Sequence, residues 1–180
     1  MKSPCQLVRA DASPLSRSEA ILRLLVDARA DVGAKRGDGA TALHLAAVFD
    51  RAAAIEALAG LGADKEAVDS NGWTPLHQAA RSGQVSAIEA LARLGASVNA
   101  AAQGSGISPL HLAATFSFVG AIEALVALGA SLEAKNSDGN TPLECAKDNS
   151  GDAARKKEAV AALERLCGAQ SAAPTDGARE

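Results

Sequence analysis

Three histidines, three cysteines and a recurring glutamate are the side chains of this 180-residue sequence best suited to chemistry. His44, His77 and His111 close the related stretches Thr41-Ala42-Leu43-His44, Thr74-Pro75-Leu76-His77 and Ser108-Pro109-Leu110-His111. An imidazole works as a general base or metal ligand when a carboxylate, thiolate or second imidazole converges on it. Each of these rings instead stands in its own copy of one motif, 33 or 34 residues from the next, where they cannot converge. The expected role is structural: each ring bonds its own turn and the backbone of the neighbouring copy. Cys5, Cys145 and Cys167 are odd in number, widely spaced and without metal-ligand spacing, so no disulfide framework or zinc site follows. Cys145 aligns with Leu45, Gln78 and Leu112 and reads as a small packing residue. Gly104-Ser105-Gly106 lacks the further Gly and Lys of a phosphate loop and reads as a one-residue insertion in a turn. Glu56, Glu89 and Glu123 recur one repeat apart, as a solvated or hydrogen-bonded ladder. No catalytic, cofactor-binding or metal-binding residue is assigned, and the chain is expected not to be an enzyme.

The elements that must position these residues repeat. Asp38-Gly39-Ala40-Thr41-Ala42-Leu43-His44 aligns with Asn71-Gly72-Trp73-Thr74-Pro75-Leu76-His77, with Ser105-Gly106-Ile107-Ser108-Pro109-Leu110-His111 and with Asp138-Gly139-Asn140-Thr141-Pro142-Leu143-Glu144. The hydroxyl residues Thr41, Thr74, Ser108 and Thr141 are spaced by 33, 34 and 33. They sit where an N-cap hydroxyl satisfies orphan helix amides, and Pro75, Pro109 and Pro142 follow at the first helical position, which tolerates a missing N–H. A second block recurs as Ala54-Ile55-Glu56-Ala57-Leu58, Ala87-Ile88-Glu89-Ala90-Leu91 and Ala121-Ile122-Glu123-Ala124-Leu125. Gly62, Gly95 and Gly129 follow it, where a left-handed residue ends a helix.

Composition agrees with thin, closely stacked helices. Hydrophobic residues make up 48% of the chain, and half of them are Ala, the best helix former. Aromatics are 2%, too few for one large globular core. The net charge of −3 argues against a phosphate-backbone binder, which needs a basic stripe, so no nucleic-acid partner is expected. No stretch approaches the roughly 18 apolar residues of a membrane span, and the first residues lack the apolar core of a secretory signal. The expected location is intracellular, cytoplasmic or nuclear, with no membrane association.

The repeated Thr-Pro-Leu-His signature and its period resemble the ankyrin repeat, over about residues 18 to 168. The resemblance implies an all-α solenoid in which each repeat is a β-turn followed by two helices. It divides the chain into a loosely ordered N-terminus (1–15), a degenerate first repeat (16–35) and full repeats at 36–68, 69–102 and 103–135. A capping repeat (136–168) and a disordered tail (169–180) follow. The first repeat has Leu22, Leu24, Leu25 and Val26 on a helix-like segment, with Pro14 limiting any helix before it. The cap replaces His by Glu144, inserts about five residues around 148–153 and carries the charged run Arg155 to Glu158. The array is expected to be whole, capped and monomeric. Asp50, Ser117 and Asn149 stand where Gly83 marks the usual inter-helix glycine, so the third repeat's turn is expected to be strained or differently shaped.

The resemblance also implies a binding groove built from turn tips and first helices. Its candidate residues here are Phe49, Ser70, Asn71, Trp73, Arg81, Ser82, Ile107, Thr115, Phe116 and Asn140. Gly37, Asp38, Ala40, Val48, Gly104, Ser105, Ser137, Lys147 and Asp148 line the same face. Three of the four aromatics fall among the candidates, and aromatics beside an Arg are common anchors of a protein interface. Phe49 and Phe116 either join that interface or pack between repeats, and Phe118 packs. Function is therefore expected to be non-catalytic binding of a protein partner, as an adaptor or steric inhibitor. The alternatives are a regulatory subunit or a piece of a larger signalling or ubiquitin-ligase assembly. More remotely, Asn99 matches the position an asparaginyl hydroxylase modifies in some ankyrin proteins. The plainer reading of Asn99 is a turn-stabilising side chain.

Overall fold

The computed structural model describes residues 31–148 and 151–171. The expectations for 1–15, for most of 16–35, for Cys5 and for Asn149 lie outside them, as does the stretch from 172. Among the described residues there are eight helices and no strand. They are α1 Ala42–Val48, α2 Ala52–Gly60, α3 Pro75–Arg81, α4 Val85–Arg93, α5 Pro109–Thr115, α6 Val119–Ala127, α7 Pro142–Asp148 and α8 Ala153–Ser171. Odd helices pack on odd and even on even, and each pair packs on itself. Two layers result: an inner row of seven-residue helices and an outer row that is longer. The expected segments 36–68, 69–102 and 103–135 each contain one turn and one such pair.

Local sequence explains the short inner helices. Thr41, Thr74 and Ser108 are N-caps with extended backbone, and Pro75 and Pro109 occupy the first turn. The outer helices end in the Schellman pattern. At α4, Ala96 N–H bonds Leu91 O at 2.9 Å and Gly95 N–H bonds Ala92 O at 2.9 Å, and the same bonds recur around Gly62 and Gly129. Inner helices end alike, at Asp50, Gly83 and Ser117, all with positive φ (54°, 70° and 57°). The third turn therefore keeps the common shape, so of the two expectations, strained or differently shaped, the first holds. Phe118 N–H bonds Ala113 O at 3.0 Å just as Gln84 N–H bonds Ala79 O at 3.0 Å. The strain is confined to Ser117, because a left-handed backbone disfavours a residue with a Cβ. Asp50 compensates for its own strain: Oδ1 accepts the Ala87 amide of α4 at 2.8 Å, capping the next pair's outer helix. Gly83 is fixed twice over, since a Cβ there would lie 2.6 Å from the Phe118 ring.

The core is aliphatic and small. Leu43, Leu76 and Leu110 of the inner helices are buried against Ile55, Ile88 and Ile122 of the outer ones, with the Ala46–Ala47, Ala79–Ala80 and Ala113–Ala114 pairs between them. Alanine faces let helices approach to close packing distance, which an aromatic core could not. The last pair departs from this scheme. Leu143 is only half-buried. The insertion expected around 148–153 is accompanied by a longer outer helix. α8 has 19 residues against nine in α6, starts on Asp152, whose Oδ1 accepts the Ala154 amide at 2.8 Å, and exposes Ala153, Ala154 and Arg155 before its first buried residue, Ala159. It runs through Ser171, so residues 169–171 are helical and not part of a tail.

Truncating the central leucines tests this packing. Leu76→Ala and Leu110→Ala are each expected to cost about 2–5 kcal/mol in urea unfolding, as buried leucines do. A loss under about 0.5 kcal/mol, the range of a neutral surface change, contradicts the two-layer core.

Candidate functional site

The histidines link the pairs and are chemically occupied. His44 Nδ1 receives the Thr41 amide at 3.1 Å and lies 2.9 Å from Thr41 Oγ1, while Nε2 lies 2.9 Å from the Trp73 carbonyl of the next turn. His77 repeats this with Thr74 (3.2 and 2.8 Å) and Ile107 O (3.0 Å). His111 does so with Ser108 (3.2 and 2.7 Å) and Asn140 O (3.0 Å). A carbonyl oxygen only accepts, so Nε2 carries the hydrogen, and Nδ1, facing an N–H, must be the acceptor. All three rings are thus neutral Nε2–H tautomers with no lone pair left for a metal or a proton. The hydroxyls donate to Nδ1 and also face the third amide of their helix in a capping box, so the expected cap is present and shared with the ring. Ser108 Oγ does accept from the His111 amide, at a long 3.4 Å. Burial pushes the His77 and His111 pKa values down, outweighing the carbonyls that favour the charged ring.

Glu144 in the fourth copy keeps half of this device. Its Oε2 accepts the Thr141 amide at 2.6 Å and the Thr141 hydroxyl at 2.9 Å, and these bonds lower its pKa. A carboxylate serves the acceptor role of Nδ1 but cannot donate onward to a carbonyl.

The other chemistry-bearing residues are also committed. Cys145 and Cys167 are half-buried free thiols, and burial raises both pKa values, so they rest protonated. Glu56 pairs with Arg93 at 2.8 Å and Glu123 with Arg165 at 3.4 Å, tying consecutive outer helices. Asn99 Nδ2 donates to Gly129 O at 3.0 Å, and its Oδ1 accepts the Ser131 amide at 2.8 Å. Among the described residues no group of His, Cys, Asp and Glu could hold a metal ion. No helix there is long and apolar enough to cross a membrane.

The candidate groove residues separate into a cluster and its surroundings. Trp73 precedes the α3 N-cap, Arg81 ends α3, and Phe116 is the C-cap of α5. The Arg81 guanidinium carbon lies over both rings, 5.4 Å from the Trp73 centroid and 5.6 Å from that of Phe116. Phe116 in turn stacks on Phe118, with centroids 6.5 Å apart, so the stack runs from one pair to the next. Phe116 remains 43% exposed. Ser70 and Asn71 are exposed beside it at the turn tip, and Ser82 and Ile107 are half-buried. Phe49, the α1 C-cap, is 64% exposed and outside the stack. The Thr115 hydroxyl turns back to His111 O at 2.8 Å and is not aimed outward by the fold, while Asn140 is held through its backbone N–H, which donates to the Asn136 side chain at 2.9 Å.

Asp69 was not singled out from sequence. It is buried beneath the Trp73 turn and accepts the Asn71 amide (2.8 Å), the Trp73 amide (3.0 Å) and Gln78 Nε2 (2.8 Å). Burial opposes its charge, yet these three donors outweigh burial and hold its pKa below the ordinary value. An Asp two residues before Asn-Gly is a turn signal that could have found it.

Two family models match the chain. One, described as ankyrin repeats in three copies, matches residues 11–102, and the other, ankyrin repeat, matches residues 105–137. No curated protein matches it significantly.

Two outcomes follow from the latches. His77→Ala leaves the Ile107 carbonyl and the Thr74 amide unpaired and is expected to cost roughly 1–3 kcal/mol in chemical unfolding; an unchanged midpoint contradicts the latch. The second outcome concerns pH. Because the folded pKa values of His77 and His111 are depressed, the unfolded chain binds protons first, so stability is complete above about pH 6.5 and falls below it. The melting temperature should therefore drop between pH 7.5 and 5.5, and drop less in His77→Ala. A flat profile in the wild type contradicts the assignment of buried neutral rings.

Proposed function

Since the chain belongs to the ankyrin-repeat family, we propose that it is a non-catalytic module that binds a protein partner along the groove of its turn tips and inner helices. Ankyrin repeats are generally protein–protein interaction modules. The observation that carries the reading for this chain is the stack of Arg81 over Trp73 and Phe116. At the positions equivalent to Trp73 the chain has Ala40, Ile107 and Asn140. The fold therefore does not need a large ring there, and Trp and Arg are the residue types most enriched among interface hot spots. The commitment of the histidines, Glu56 and Glu123 to internal bonds supports the non-catalytic half of the reading. Asn99 as a hydroxylase substrate has less support, because both polar atoms of its amide already tie it to the next repeat.

Trp73→Ala is expected to weaken partner binding about tenfold or more, or about 1.4 kcal/mol, with little change in the thermal melt. The measurement is a binding isotherm against a partner captured by the wild type, run beside the melt. If Trp73→Ala unfolds the array as Leu76→Ala does, the ring is structural and the groove reading fails.

A further inference from the structure

Arg81 holds a charge that the fold positions and does not neutralise. Arg36, Arg93 and Arg165 each meet a carboxylate, at 2.7, 2.8 and 3.4 Å. Among the described residues Arg51, Arg81 and Arg155 have no such partner, and of these three Arg81, whose side chain is exposed, is the one that lies over aromatic rings. The acid of the same turn, Asp69, is committed to Asn71, Trp73 and Gln78. Stacking occupies the faces of a guanidinium and leaves its N–H donors pointing outward in the plane. A planar fork with open edges fits one carboxylate through two parallel N–H···O bonds. The two rings restrain the Arg81 rotamers before binding, which lowers the ordering cost, and they set apolar surface beside the charge.

We propose that the Trp73–Arg81–Phe116 stack receives an Asp, Glu or C-terminal carboxylate of an acidic peptide segment, whose neighbouring apolar side chain lies on the aromatic rings. The proposal rests on the groove reading above and names its partner chemistry. Phosphopeptide sites draw on clusters of Arg, and a single guanidinium matches the single charge of a carboxylate.

Two experiments test it on the full chain. Trp73 is the only Trp and there is no Tyr, so intrinsic fluorescence reports on the stack alone. Iodide and caesium are the probes. The ratio of iodide to caesium quenching is expected to fall about twofold in Arg81→Gln, because an accessible positive charge concentrates anions locally. An unchanged ratio overturns the proposal without needing any partner. In the second experiment, random unphosphorylated 12-residue peptides displayed on phage are selected on the immobilised chain. Enriched peptides should carry Asp, Glu or a free C-terminus beside a bulky apolar residue, and should lose about tenfold in affinity to Arg81→Gln. Arg81→Lys, which keeps the charge without the fork, should recover only part of that loss. Binders that lack an acid but need Trp73 overturn the carboxylate assignment and leave the groove standing. Binders indifferent to both Trp73→Ala and Arg81→Gln, or no binders at all, count against the proposal, and the former against the groove as well. A phosphoserine version of an enriched peptide that binds about tenfold tighter than the Asp version makes phosphate the ligand and also overturns it.

Discussion

A neutral imidazole that accepts on one side and donates on the other holds this chain together. His44, His77 and His111 each take a hydrogen from their own turn at Nδ1 and give one from Nε2 to a carbonyl 29 or 30 residues on. No other uncharged side chain of that reach offers one acceptor and one donor nitrogen on opposite edges of a rigid ring. The latch fixes the spacing between turns, and the spacing decides what else fits. Alanine pairs fill the narrow gap between inner helices, and each Leu–Ile set closes the space behind them. Long-range order is thus assembled from nearest-neighbour contacts, as stacked repeats require.

The same economy explains why the surface, and not the interior, is left for function. Many of the side chains able to do chemistry are already bonded or protonated: the rings by the latches, Cys145 and Cys167 by burial, Glu56 and Glu123 by ion pairs, Asp69 by three donors. No buried side-chain nitrogen or oxygen among the described residues lacks a partner. The latches also place the outward face. His44 holds the carbonyl of Trp73, and Asp69 holds its amide, so the backbone that presents the indole is anchored on both sides. A ring carried on so rigid a turn, with a guanidinium stacked over it, meets a partner without first having to be ordered.

Much of this was legible because the period makes long-range contacts local in the alignment. The structural role of the histidines, the short proline-started helices, the glycine stops and the turn insertion at Gly104 all follow from comparing one copy with the next. The grouping of Trp73, Arg81 and Phe116 on one face was reached the same way, while their stacking needed coordinates. What stayed hidden depends on directions that residue types do not encode. A threonine before a helix suggests a cap, and only the coordinates show that its hydroxyl also bonds the ring. The Asp50 bond to the Ala87 amide spans 37 residues between unlike positions. The length of the last helix stayed hidden for a different reason: without another copy to compare, an insertion is visible but not the element it lengthens, although Ala, Arg, Lys and Glu are strong helix formers.

The protonation state of the three imidazoles tests the central claim most directly, and nitrogen-15 NMR of the histidine side chains reads it ring by ring. At neutral pH all three should show hydrogen on Nε2 and none on Nδ1, with His77 and His111 resisting protonation below the ordinary histidine value. A ring protonated at Nδ1, or three rings titrating together as free histidines do, would contradict the latch and return the histidines to the list of functional residues.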